Sequence, residues 1–115
     1  MTVRTTLVLP LLLGPLLALA QTPAAPDAAR ERALVRMVRQ DCGSCHGMRL
    51  TGGLGPALTR EALAEFPLDS LTAVIVHGRP GTPMPPWKAM LSEPEARWIA
   101  QRLQQGFPEE MVKAP

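Results

Sequence analysis

Cys42-Gly43-Ser44-Cys45-His46 is the stretch of this chain where residue types and spacing together can do chemistry. Two thiols three residues apart, with an imidazole beside the second, form C-x-x-C-H, the attachment motif of c-type haem. Each thiol can bond one vinyl-derived carbon of a porphyrin, and the adjacent imidazole then supplies the proximal nitrogen to the iron. Three other chemistries compete. A redox dithiol of the thioredoxin kind needs a βαβ context, which the sequence does not show, and has no use for His46. A zinc site can draw on Cys42, Cys45, His46 and His77. Adjacent Cys45 and His46 fit a compact tetrahedron poorly, however, and the second half of a finger spacing is missing. A Cys42–Cys45 disulfide closes too small a loop to stabilise much.

A haem iron needs a second axial ligand from elsewhere in the chain. The candidates are Met37, Met48, Met84, Met90, Met111 and His77. Met37 precedes the motif and reads as packing. Met48 is too close to His46 to reach the opposite face, and Met111 falls in a tail. Met84 sits in Gly81-Thr82-Pro83-Met84-Pro85-Pro86-Trp87, where flanking prolines restrict the backbone and can hold a thioether without a helix. Met84 is the expected distal ligand, with Met90 and His77 in reserve; His77 also suits the end of a helix. The ring N–H of His46 needs an acceptor, and a carbonyl in Leu54-Gly55-Pro56 is expected to provide it; Pro56 can equally serve as a loop stiffener. Trp87 can reach a haem propionate through its indole N–H or pack on the porphyrin edge. Arg49, Arg79 and Lys88 can line the haem rim, with solvated surface as the plainer role for each.

The elements that must position these residues read as short helices between Gly/Pro loops. Asp27 caps a helix expected over Ala28–Gln40, with Leu34, Val35 and Val38 on its apolar face. Arg30, Arg32, Arg36 and Arg39 fall largely on the other, solvated side, and the motif follows the end of this helix. A short helix is expected over Arg60–Phe66 with Thr59 as cap. Another fits Leu68–His77, stopped by Gly78. Arg79–Met90 is a proline-rich loop. Ser92 and Glu95 match a capping box opening a helix that ends at Gly106, with Ala96, Ile99, Ala100 and Leu103 as its buried stripe. No strand alternation and no repeat appear, so the class is all-α, with about four to five short helices.

The 115 residues fit one domain. With 12 Lys+Arg against 10 Asp+Glu, the chain lacks the basic excess of a dedicated nucleic-acid binder. Aromatics are 3% of residues, so a core must be filled by something else. Arg4, then the uncharged Leu7–Ala20 ending Ala18-Leu19-Ala20, has the layout of a secretory signal cleaved after Ala20; the apolar run is short for a membrane span and holds Pro10 and Pro15. The expected division is a leader at 1–20, a tether at 21–26, a folded domain at 27–106 and a tail at 107–115. Export places the mature chain in the periplasm, with no stable membrane span after cleavage.

Cys42-Gly43-Ser44-Cys45-His46, Leu54-Gly55-Pro56 and Gly78–Trp87 together resemble a class I monohaem cytochrome c over Ala28–Gln105. The resemblance implies one covalent haem c on Cys42 and Cys45, His46 proximal and Met84 distal, and first and last helices that cross. The family often has an aromatic near Leu103; Trp98 is expected to take that packing role. Asp41–Leu58 and Pro83–Gln105 are further similar to the small cytochromes c55x, encoded beside the dissimilatory cytochrome cd nitrite reductase of denitrifying bacteria. That similarity implies a monomeric periplasmic carrier of single electrons, without substrate turnover, for that enzyme. The alternatives are a part in maturing its d-type haem, electron supply to another periplasmic oxidoreductase, or a haem enzyme or gas sensor in which Met84 leaves the iron.

Overall fold

The computed structural model describes Met1 and residues 25–110. The expected leader beyond Met1, the tether up to residue 24 and Met111 lie outside the described residues. Among the described residues there are five α-helices and no strand: α1 (Ala28–Met37), α2 (Gly43–His46), α3 (Arg60–Leu63), α4 (Leu68–His77) and α5 (Glu93–Gln105). A π-helical turn, Val38–Cys42, joins α1 to α2.

The chain ends expected for these helices are formed by the expected side chains. The Asp27 carboxylate accepts from Arg30 N at 2.8 Å, and Thr59 Oγ1 accepts from Ala62 N at 3.3 Å. Ser92 and Glu95 make both bonds of the capping box, which together satisfy donors that the first turn of a helix leaves free. The Val74-Ile75-Val76 run stays helical inside α4, because packing against α5 outweighs a small propensity penalty.

Two expected boundaries move. The first helix does not stop at Gln40 ahead of the motif; it runs on through the π turn into α2, so Cys42, Cys45 and His46 are carried on helical backbone. No proline interrupts residues 38–46, and one extra residue is absorbed as a π bulge, a distortion common at functional positions. The helix expected over Arg60–Phe66 ends at Leu63. Its last carbonyls are taken by α5 instead: Gln104 Nε2 donates to Leu63 O at 3.2 Å and Phe66 O at 2.7 Å.

The core forms around Ile99 and Leu103 of α5, from Leu34 of α1, Val38 of the π turn, Leu63 of α3 and Leu91, with Leu71 and Ile75 of α4 packed against it and Ala96 and Ala100 fully buried on α5. Arg30 and Glu31 are neighbours on α1. Arg30 pairs with Glu95 at 2.6 Å and Glu31 with Arg102 at 3.9 Å. Those partners stand two turns apart on α5, about 10 Å at 1.5 Å per residue, so the start of α1 is tied to two successive turns of α5. Trp98 is buried and meets Phe107 edge to face, centroids 6.5 Å apart, while Arg102 lies over its ring. Leu103 remains aliphatic at the position where an aromatic is frequent.

Two of the four arginines expected on a solvated face are not there. Arg30 is partly buried in its pair with Glu95. Arg39 is 7% exposed, held by carbonyls of Phe107 and Pro108. Residues 107–110, expected as part of a loose tail, therefore dock on the helical body.

Candidate functional site

The loop after α2 doubles back onto the helix that carries the motif. Gly55 N donates to Cys45 O and Gly52 N to His46 O, both at 2.8 Å, so the carbonyls left free at the end of α2 are satisfied by the loop itself. Leu50 is buried and adopts φ 61° to close this turn, a left-handed conformation that disfavours a branched side chain. It is offset by placing Leu50 in the core.

His46 is fixed from two sides. Its Nδ1 lies 2.7 Å from Pro56 O. A carbonyl only accepts, so the proton sits on Nδ1, and Nε2 keeps its lone pair for a metal. The imidazole also rests on bare backbone: a Cβ on Gly55 would stand 2.6 Å from Cε1 of the ring, so only glycine lets the loop approach that closely. Of the two roles weighed for Pro56, the structure displays the carbonyl contact.

Cys42 and Cys45 are free thiols, partly buried, on successive turns with His46. Burial, helped by neighbouring Asp41, pushes the Cys42 thiol up to about 11. A reactive thiolate needs the opposite shift, which Cys42 does not have. Among the described residues no cluster of His, Cys, Asp and Glu is arranged to hold a metal ion. His77 is exposed and lines a small cavity between α4 and α5 with Asp69, Thr72, Glu93 and Arg97, which gives the four-ligand zinc grouping no support.

Met84 belongs to a second rigid loop. Its carbonyl accepts from Arg79 N at 3.1 Å, and its N–H donates to Thr82 Oγ1 at 3.3 Å. Trp87 N donates to Ile75 O at 3.1 Å and Lys88 N to Val76 O at 3.2 Å, so the loop hangs from the C-terminal carbonyls of α4. Gly78 has φ 67°, and a Cβ there would stand 2.6 Å from Met84 O. Met84 is partly buried, whereas Met90 and Met48 are more than half exposed. Trp87 packs at the margin of the core; the side chains of Arg79, Arg49 and Lys88 are on exposed residues.

The donor set fits covalent haem: two unpaired thiols and an imidazole with a free nitrogen share one helical segment. Exposed Leu54 and Met48 stand in the loop beside them, available to an apolar group. The sequence reading missed Arg39, and it read Gly78 only as a helix stop. The close approach of Gly78 to Met84 involves backbone six residues on, and no local pattern announces it.

The family described as cytochrome c oxidase, cbb3-type, subunit III matches residues 28–101. The chain is 59% identical over 85 residues to cytochrome c55X of Stutzerimonas stutzeri, covering 74% of this chain and 75% of that one. The solved structure of the c-type cytochrome NirC is 57% identical and covers 70% of this chain and 94% of that chain, with a TM-score of 0.69. A third likeness, 38% identity over 104 residues, is to dihydro-heme d1 dehydrogenase of Pseudomonas aeruginosa; it covers 90% of this chain and 19% of that protein. Fold and site define a c-type cytochrome. The chain belongs to the small monohaem cytochromes of the c55X/NirC type, electron-transfer proteins with covalently bound haem c.

Proposed function

We propose that this chain is a periplasmic, monomeric carrier of single electrons that serves dissimilatory cytochrome cd nitrite reductase. The observation that carries the site is the fixed imidazole: Pro56 O on Nδ1 and Gly55 beneath the ring leave Nε2 as its free ligand nitrogen. The partner is supported by the likeness to c55X and NirC.

When bound, haem supplies a one-electron iron couple. The chain's own residues do the rest. Cys42 and Cys45 would hold the group by thioether bonds, and His46 would ligate the iron, oriented and made more basic by Pro56 O. Met84 would be the second side chain to hold the iron, its backbone positioned by Arg79 N–H, Thr82 and the backbone of Gly78; a thioether there would favour the ferrous state relative to harder ligands. Trp87 and Arg79 border the site. Were both side chains to ligate the iron, it would carry electrons without binding a substrate, and none of these residues would have to move a proton.

The test is electron delivery. Reduced protein mixed with purified nitrite reductase should be oxidised in a second-order reaction fast enough to sustain nitrite turnover; absence of that reaction overturns the partner. A second reading is favoured by the likeness to dihydro-heme d1 dehydrogenase, which spans nearly the whole of this chain: a redox role in maturing the d-type haem. A deletion strain separates the two. Fully loaded reductase with slow nitrite turnover supports the carrier, and apo-reductase supports maturation.

A further inference from the structure

Among the described residues Arg39 is the one arginine that is almost fully buried, and electron transfer as described above makes no use of it. It is the second residue of the π turn, three residues before Cys42. Its guanidinium donates to Phe107 O at 2.8 Å and to Pro108 O at 2.9 and 3.0 Å. It pairs with Glu109 at 3.4 Å and lies 5.7 Å over the Phe107 ring. Phe107 is in turn wedged edge to face on Trp98 of α5. A buried cation with this many partners is strongly destabilising to unpair, so the side chain fixes the backbone that carries it.

That backbone is the π turn, which leads without a break into α2 and His46. A bulge of this kind is a departure from the regular ladder that needs tertiary contacts to persist. The imidazole, however, is held by a different element, the loop at Gly55 and Pro56. The 2.7 Å contact to Pro56 O exists only while helix and loop keep their relative placement. We propose that Arg39, clamped by the segment Phe107–Glu109, is a positioning residue for the haem iron: it holds the π turn in register so that His46 meets Pro56 O, and thereby helps set the reduction potential. The proposal rests on His46 being the iron ligand. Were it not, His46→Ala would leave the spectrum of the haem protein unchanged, a result independent of Arg39.

The sign of the effect separates positioning from plain electrostatics. A weaker Nδ1–H···O bond makes the imidazole a poorer donor, which disfavours ferric iron and raises the potential. Loss of a positive charge near the iron would lower it. Four variants of the full holoprotein are compared with wild type: Arg39→Lys, which keeps the charge but loses the forked donor; Arg39→Ala; Phe107→Ala, which loosens the strap and keeps Arg39; and the double variant of Arg39→Lys with Phe107→Ala. Midpoint potential and the chemical shift of the His46 Nδ1 proton in the reduced state are read well below each variant's melting temperature. Expected are a raised potential and a moved Nδ1 proton in Arg39→Lys and Phe107→Ala, with the double variant adding less than the sum of the two. A lowered melting temperature with unmoved potential and proton would overturn the proposal, leaving Arg39 a purely structural clamp. So would a potential lowered in Arg39→Ala and unchanged in Arg39→Lys. Should Arg39→Lys fail to mature, Phe107→Ala decides alone.

Discussion

His46 and Met84 are held in different ways, and that difference sets what substitutions at each should do. His46 has a bond to Pro56 O and a glycine floor; the backbone of Met84 is fixed on both sides while its thioether is only partly buried. Met84→Ala should therefore leave the protein folded and lower its potential, since the thioether is what favours the reduced iron. Carbon monoxide, expected not to bind the reduced wild type, should bind the variant fully; an unaltered spectrum would move the ligand to Met90 or His77. Replacing either Cys42 or Cys45 with Ala removes one thioether link, and acid-acetone extraction should then release haem only when both are gone.

Among the elements, α5 does most of the organising. Its capping box and its ion pair share one carboxylate: Glu95 accepts from Ser92 N at 2.8 Å and from Arg30 Nε at 2.6 Å. The Arg30 bond, ahead of the Ser92 bonds, holds Glu95 down to about 2. A carboxylate with a lowered folded-state pKa stabilises the fold above its unfolded value and loses that contribution as pH falls through the folded one. The melting temperature should thus decline between about pH 4.5 and pH 2, and Glu95→Gln should flatten that limb. At neutral pH the same substitution removes the charge that pairs with Arg30, while glutamine keeps the capping-box bond, and should cost about 1 kcal/mol, the upper end for an ion pair of this exposure. In a domain this small that is a fall of about 4–8 °C, readable by thermal circular dichroism. The loop that carries Met84 depends on α4 through Gly78. Gly78→Ala puts a Cβ within 2.6 Å of Met84 O at φ 67° and should cost about 1–3 kcal/mol. It should also weaken the Met84 ligation, seen as partial carbon monoxide binding.

For the molecule as a whole, the small core is the governing fact. Leu34 and Val38 are the largest side chains with essentially no exposure, and domains of this size commonly depend on a bound group for stability. Protein made without haem should be far less stable, with a shallow or absent thermal transition. The charge balance bears on docking. The chain's formal net charge is +2, and five ion pairs neutralise much of the described surface. Long-range steering should be weak. Raising ionic strength from about 0.01 to 0.15 M, which shortens the screening length from about 30 to 8 Å, should change the rate of electron delivery less than about tenfold. A steeper fall would assign docking to Arg49, Arg79 and Lys88.

Much of this protein is local in origin. C-x-x-C-H needs only five adjacent residues, and Asp27, Thr59, Ser92 and Gly106 act on helix ends within a turn of themselves. The ends of α4 and α5 and the all-α class were accordingly legible in the amino-acid order, as was a Leu54-Gly55-Pro56 carbonyl beneath His46. The tertiary structure decided what depends on distant partners. Arg39 reads as solvated from its own helix, because the carbonyls that bury it lie 69 and 68 residues away. α3 stops at Leu63, and the carbonyls of Leu63 and Phe66 that its shorter span leaves free are met by Gln104, 41 and 38 residues on. A helical period records which face of a segment is apolar; it holds no record of a polar group that is buried because another segment arrives to satisfy its hydrogen bonds.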